Sequence, residues 1–392
     1  MWVKGRLDIF NHIKKDLKKN NAKTVWMHCA SLGEFEQGKP VLEKILNHYP
    51  DIRPVISFFS PSGYEVIKKK GIYPHVYYLP MDSAIHAQKW MKLIDPSMVI
   101  WVKYEYWYYY LMAIRHRNIP LFMVSGIYRR DQPFFKWYGS LYRKMLTAFT
   151  HFFVQNESSK KYLSTLTDRN KITVSGDTRC DRVIEIAQNF EPIPEIEFFC
   201  NGNQAIVCGS TWEADEAIWT HFVKSNPDKK FIMAPHEIDQ ENIEHVQKEF
   251  HGILFSEWKK KLDTDTAATP GTNCLIVDNI GMLARLYHYA SITYIGGGFG
   301  ADGLHNILEA AVYGKPVLFG PAIYKNFEAI ELIKAGAAQV VSNALELENT
   351  LDEFYKNPEK VLLKGRAAKN YVYANAGASE KILRHIITHD LL

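Results

Sequence analysis

Cysteine is scarce in this sequence of 392 residues: five occur, at Cys29, Cys180, Cys200, Cys208 and Cys274. Their number is odd, their spacing is wide, and none forms a C-x-x-C pair. That argues for a reducing compartment and against a disulfide framework or a structural zinc site. Long apolar runs are also lacking. The longest, Met98–Val102 and Val317–Phe319, are strand-sized, far short of the ~20 residues a spanning helix needs. Residues 1–20 have no apolar centre of the kind a signal peptide carries. The chain falls straight into a helical pattern at Met1-Trp2-Val3-Lys4-Gly5-Arg6, as though a preceding segment had been cut away. The 15 histidines show no H-E-x-x-H or similar spacing, so no metal site is expected. Internal repeats and low-complexity tracts are absent too.

What is present is the composition of a folded protein, 47% hydrophobic and 23% charged, with a length that suggests two domains. Aromatics reach 13% and crowd the first half. The net charge of +4 hides an asymmetry: residues 1–200 hold 29 Lys and Arg against 19 Asp and Glu, and residues 201–392 hold 18 against 24. Over residues 1–150 the imbalance is 23 to 11. One half is therefore suited to an anionic surface or substrate, with drift in surface charge as the plain alternative.

Short β-like apolar runs alternate with helical patterns, the signature of an α/β protein. The first half predicts strands at Thr24–Cys29, Arg53–Phe59, His75–Tyr78, Met98–Val102, Leu121–Val124, His151–Val154 and Ile172–Val174. Helices are expected over Gly38–Tyr49, Gly63–Lys70, Ser83–Ile94, Tyr106–His116 and Glu157–Thr165. The second half predicts strands at Ala205–Cys208, Lys230–Met233, Cys274–Val277, Ile292–Ile295 and Val317–Phe319. Its helices fall over Glu213–Lys224, Glu241–Lys248, Met282–Ala290, His305–Tyr313 and Asn326–Ala335. Asn189–Asn203, with Pro192, Pro194 and Gly202, reads as a linker. The expected domains are residues 1–190 and 203–375, each a doubly wound parallel sheet, with 376–392 forming a C-terminal helix packed back on the first. Such sheets bind ligands beyond the carboxyl ends of their strands, and two facing sheets leave a cleft.

Three stretches carry chemistry. From Ile292 the chain leaves a strand into Gly296, Gly297, Gly298, Gly300 and Gly303, then enters a helix. Glycines admit a close ligand and a helix start favours an anion. Asn306 and Glu309, three apart, would share a face, and a carboxylate there suits ribose hydroxyls. A dinucleotide fingerprint fits poorly, since the loop lies about 100 residues into its domain and no acidic residue follows ~20 positions on. No Gly-Lys-Ser/Thr follows either. A nucleotide-phosphate site and a merely tight turn both stay open. In the second stretch, Ser31-Leu32-Gly33-Glu34 follows the first strand, and Glu34 in that loop is either a proton acceptor or a charge complement to a helix start. In the third, Lys103 and Glu105 follow Met98–Val102 within a run of aromatics that either fill the core or offer stacking and lipid-facing surface. No RNA- or DNA-binding signature accompanies them. Ser210-Thr211, Pro235-His236-Glu237 and Asp278-Asn279-Ile280-Gly281-Met282 also follow strands, and with the glycine loop they suggest a ligand rim.

Taken in order, Ser31–Glu34 after Trp-Met-His, Lys103–Trp107, Gly176–Arg182, Gly209–Trp212, Ala234–Glu237 and Gly296–Pro321 with Asn326-Phe327 resemble the 3-deoxy-D-manno-octulosonic acid (Kdo) transferases over nearly the whole chain. The resemblance implies a GT-B architecture of two Rossmann-like domains facing across a cleft. It implies an inverting, metal-independent transfer of Kdo from CMP-Kdo to a hydroxyl of the lipid A precursor in lipopolysaccharide synthesis. No cofactor is implied; CMP-Kdo is the donor substrate. Glu34 would be the general base, and Ser31, Gly33, Lys103, Glu105 and Arg129 would lie on the acceptor side. Ser210, Thr211, Pro235, His236, Gly281, Met282, Gly297, Asn306 and Glu309 would hold CMP. Implied partners are the lipid acceptor and an anionic membrane surface, at the cytoplasmic face of the bacterial inner membrane, without nucleic acid.

The sequence departs from the family where Lys103-Tyr-Glu105-Tyr-Trp replaces Glu-Thr-Glu-Leu-Trp and where Leu304 replaces a glycine before His305-Asn306. Val124–Arg129 also differs from the usual Asn-Ala-Arg-Leu-Ser run, and an apolar N-terminal anchor helix is missing. Two other readings remain: a GT-B enzyme using a UDP-sugar, and a non-catalytic nucleotide- or lipid-binding homologue.

Overall fold

The computed structural model describes residues 4–17, 22–103, 105–265, 269–300, 303–324 and 326–392. It separates into two compact units, one of Met1–Arg182 with Asn375–Leu392 and the other of Val183–Ala374. The division falls inside the helix Thr178–Gln188, and the stretch read as a linker holds a helix of its own, Pro194–Cys200. Pro194 opens that helix, where its missing N–H costs nothing. A proline read as a breaker is here a helix start.

The first unit is a seven-stranded parallel sheet of β1 (Thr24–Cys29), β2 (Arg53–Phe58), β3 (Val76–Tyr78), β4 (Met98–Val102), β5 (Leu121–Gly126), β6 (His151–Val154) and β7 (Ile172–Val174). Its order is β3-β2-β1-β4-β5-β6-β7. Alternate residues of β1 feed opposite faces. Trp26 joins Trp90, Trp101 and Tyr110 on one, and Val25, Met27 and Cys29 join Phe35, Val41 and Ile45 on the other. The aromatic excess of the first half is thus mostly core. The C-terminal helix Ala378–Thr388 completes the second face with Ile382, Leu383 and Ile386. Its start is held by Asp181, whose carboxylate accepts from the N–H groups of Gly377 and Ser379.

The second unit repeats the plan with β8 (Ala205–Thr211), β9 (Lys230–Pro235), β10 (Ile253–Leu254), β11 (Cys274–Ile276), β12 (Ala290–Ile295), β13 (Val317–Phe319) and β14 (Ala338–Val340), in the order β10-β11-β9-β8-β12-β13-β14. The short edge strands β10 and β14 escape the sequence reading: Ile253–Leu254 has only two residues, and the polar Gln339 interrupts Ala338–Val340. Two expected helices shrink. Met282–Ala290 becomes one turn, Leu283–Leu286, followed by a 3₁₀ turn at Tyr287–Tyr289, and His305–Tyr313 becomes Leu308–Ala311.

In each sheet the connections wind one way from a central strand and then the other. They diverge between β1 and β4 in the first unit and between β8 and β12 in the second. Loops leaving the carboxyl ends of two such strands part company and open a crevice, the preferred ligand position of open α/β sheets.

Candidate active site

In the first unit the loops after β1 and β4 border the crevice. Glu34 lies in the first turn of the helix Leu32–His48, not in a loop before a helix starting at Gly38 as the sequence suggested. Ser31 is the N-cap, in extended backbone, and its carbonyl accepts from Phe35 N–H at 3.1 Å. Gly33 is exposed in the same turn. Ser31-x-x-Glu34 has the spacing of a capping box, yet Glu34 Oε2 reaches back one residue further and accepts from Ala30 N–H at 2.5 Å. The carboxylate is thereby tied to the backbone at the start of its own helix. Burial raises the Glu34 carboxyl to about 7, outweighing the Ala30 bond that lowers it; the Glu105 charge raises it further, and Lys103 pulls it down. A carboxylate poised near neutrality suits general-base work.

Glu105 approaches from the loop after β4. Its Oε2 sits 3.1 Å from His28 Nε2 and accepts from Trp107 Nε1 at 2.9 Å, and its carbonyl accepts from Trp101 Nε1 at 2.6 Å. Lys103 is placed by a left-handed backbone (φ 57°), with its N–H donating to Val124 O at 3.1 Å. Asp177, at the end of β7, grips Arg179 at 2.7 Å. Burial pushes its carboxyl up, but the Arg179 guanidinium outweighs this and holds it below the usual range. Arg129 stands apart. It is exposed in the loop after β5, and its N–H donates to Gln132 Oε1 at 3.0 Å. The structure brings Ser31, Gly33, Glu34, Lys103 and Glu105 to the two loops at the divergence, and it leaves Arg129 on the periphery.

The second unit's crevice is built largely from backbone. Gly296 N–H donates to Gly209 O at 2.9 Å, and a Cβ on Gly296 would press into the Ser210 carbonyl. Gly297 has φ +88° and donates its N–H to Asp215 Oδ2 at 2.8 Å. These two amides are spent inside the protein, and the following helix is a single turn. Gly296 and Gly297 let the loops after β8 and β12 pack closely, and the helix expected over His305–Tyr313 is shortened to Leu308–Ala311. Asn306 precedes Leu308–Ala311 instead of sitting within a helix, yet its Nδ2 still donates to Glu309 Oε1 at 2.9 Å.

Ser210 adopts φ 52° at the end of β8, and Thr211 is buried with its hydroxyl donating to Glu216 at 2.8 Å. Pro235 ends β9 opposite Thr211, and His236 N–H donates to Thr211 O at 2.8 Å. The exposed His236 ring stacks on both Trp212 (4.5 Å) and His305 (4.3 Å), and Trp212 Nε1 donates to His305 Nε2 at 3.3 Å. Gly281 (φ +100°) and buried Met282 precede the short helix Leu283–Leu286, whose Leu283 packs against Gly209. The sequence reading quoted Trp212 and His305 within motifs without assigning them a role, and it passed over Asp215. Asp215 accepts from Trp212 N–H (3.0 Å), Gly297 N–H and Tyr294 O–H (2.6 Å), joining the loops after β8 and β12. Its sequence signal is an acidic residue three positions after Trp212, the N-cap of the helix Glu213–Ser225 that follows β8.

Two parallel seven-stranded α/β units of this kind make a GT-B fold. The chain superposes on the UDP-GlcNAc 2-epimerase of Neisseria meningitidis with a TM-score of 0.66 at 16% identity, over 93% of this chain and 100% of that one. Residues 4–182 match the family described as 3-Deoxy-D-manno-octulosonic-acid transferase (kdotransferase). The 3-deoxy-D-manno-octulosonic acid transferase of Aquifex aeolicus is 28% identical over 91% of this chain and 93% of its own length. That of Chlamydia trachomatis serovar A is 24% identical over 91% and 84%. The first unit thus matches the Kdo transferase family, and over most of its length the chain is similar to curated Kdo transferases.

Proposed function

We propose that this protein transfers Kdo from CMP-Kdo to a hydroxyl of the lipid A precursor, with inversion at the anomeric carbon and Glu34 as general base. The observation that carries the reading is a half-buried carboxylate with its pKa near 7 at the divergence of the first sheet. As the acceptor oxygen attacks the anomeric carbon, its proton passes to Glu34. The bond from that carbon to the phosphate oxygen breaks, and CMP leaves with the electron pair. The phosphate is a competent leaving group once polar groups of a preorganised site receive its charge. In the second unit Ser210, Thr211, Pro235, His236, Gly281, Met282 and Gly297 would form the CMP rim, with Asn306 and Glu309 meeting the ribose hydroxyls.

The acceptor is a membrane lipid, and one surface of the first unit is suited to meet it. Among the described residues no helix is long and apolar enough to cross a membrane. Residues 129–144 carry five bases, Arg129, Arg130, Lys136, Arg143 and Lys144, against the one acid Asp131. Within them Trp137 is 91% exposed, beside exposed Tyr138 and Leu141. Tryptophan and tyrosine settle at the headgroup level, and each nearby base adds about 1 kcal/mol on an anionic leaflet. This segment follows β5 at the carboxyl edge that also presents Glu34, so docking there supports peripheral attachment at the cytoplasmic face of the inner membrane.

Incubation with CMP-Kdo and tetra-acylated precursor, followed by product mass, tests the reading. Added Kdo mass in the wild type and its loss in Glu34→Gln are expected. Binding of UDP without CMP would reject the donor, and persistence of transfer in Glu34→Gln would reject the base.

A further inference from the structure

Behind Glu105, a row of side chains crosses three neighbouring strands on one face of the first sheet. Ser57 of β2 and Trp101 of β4 are each in register with His28 of β1. His28 is fully buried, its Nδ1 2.9 Å from Ser57 Oγ and its Nε2 3.1 Å from Glu105 Oε2. Ser57 Oγ also lies 2.8 Å from Trp26 Nε1. An ionised carboxylate only accepts, so Glu105 takes the Nε2 proton of His28, the His28 Nδ1 lone pair accepts the Ser57 hydroxyl proton, and Ser57 Oγ accepts from Trp26 Nε1. The Nε2 proton of His28 then points at Glu105. The opposite tautomer would set the Nε2 lone pair against a carboxylate oxygen, a repulsive contact. The direction of the whole chain thus follows from the acceptor-only carboxylate of Glu105 at its other end.

We propose that His28 is a positioning residue for the transfer: the Trp26–Ser57–His28 chain delivers an N–H to Glu105 and pins its carboxylate beside Glu34. With the Trp107 N–H on the same oxygen and Trp101 on the carbonyl, the Glu105 side chain and backbone are fixed from three sides. A negative charge held there keeps Glu34 proton-hungry. The groups facing Glu34 are the Ala30 N–H, Glu105, Lys103 and the neutral Cys29 thiol below it. Glu105 in turn meets His28, Trp107 and the field of Arg6, whose guanidinium is bound to Phe59 O and Leu79 O. Neither His28 nor Ser57 touches substrate in this assignment.

The proposal rests on Glu34 as the base, and its test separates the two ideas. In intact protein labelled with ¹⁵N-histidine, the His28 resonances are expected to show a proton on Nε2; an Nε2 without a proton overturns the proposal whatever the activity. In kinetics, His28→Leu is expected to lower kcat/KM about tenfold and to move its acid limb to lower pH by about half a unit, because Glu105 loses its anchor. Ser57→Ala shifts the limb the same way by less. His28→Gln, whose amide can restore a donor near the Nε2 position, recovers most of the loss. Equal CMP affinity in all three variants serves as the control for folding. An acid limb that stays put in His28→Leu, or a His28→Gln as impaired as His28→Leu, refutes the positioning role. A wild type that transfers no Kdo rejects the functional reading and leaves the NMR result to decide the chain.

Discussion

The two units share a sheet plan and differ in what fills the crevice. In the first, ionisable side chains meet at the divergence of β1 and β4: Glu34, Glu105 and Lys103, with His28 behind. In the second, loops after β8 and β12 close on one another through glycine backbone and one buried carboxylate, Asp215, leaving the Trp212, His236 and His305 rings together on the rim. The same topology therefore gathers ionisable side chains in one case and closely packed backbone in the other. A few residues past the strand ends decide which.

Substitutions can break this contrast. The largest effect is expected from Glu34→Gln, which keeps the acceptor for Ala30 N–H but removes the base: kcat falls by about 10²–10⁴-fold with little change in CMP affinity, as steady-state kinetics and calorimetry will show. In the second unit the order inverts. Asp215→Ala strands three donors, two of them backbone, and is expected to weaken CMP binding at least about tenfold and to cost about 2–4 kcal/mol of stability in denaturant unfolding. Gly296→Ala, which forces the loop off Ser210, lowers CMP affinity by a smaller factor without moving the acid limb of the pH profile. If Asp215→Ala moved that limb, the division of labour would fail.

A subtler test uses proton linkage. Because the folded-state value of Glu34 is raised from 4.5 to about 7, its ionised form penalises the fold. That penalty is complete above pH 7 and is gone once pH falls below 4.5, where the carboxyl is protonated folded or unfolded. Glu34→Gln should thus stabilise the protein by about 1–3 kcal/mol at pH 8, with the gain fading toward pH 4.5. A constant difference across that range would mean that Glu34 is not desolvated. The smallest effect concerns attachment. Trp137→Ala with Tyr138→Ala is expected to weaken co-sedimentation with anionic vesicles severalfold while leaving transfer to detergent-dispersed acceptor unchanged.

Much of this was legible in the residues. Thr24–Cys29 reads as a buried strand and is one, and Ser31–Glu34 and Gly296–Gly298 land at the two divergences because such loops follow central strands. What was not legible depends on pairing across the sheet. His28 meets Ser57 only through the register of β1 with β2, 29 positions away. Asp215 reaches Gly297 only because β8 neighbours β12. The helix expected from His305 fails for a local reason: Asn306 turns its side-chain carbonyl to the Leu308 N–H at 3.3 Å, and the helix begins just there.

Asp181 and the returning segment Asn375–Leu392 have a consequence for biogenesis. The first unit takes its last helix from residues 375–392, so a ribosome must pass through the whole second unit before that core can close. The second unit, contiguous from Val183 to Ala374, is free to form first. During synthesis the exposed Ile45 and Val41 face then waits for Ile382 and Ile386, and even a short C-terminal truncation strikes at the amino-terminal half of the enzyme.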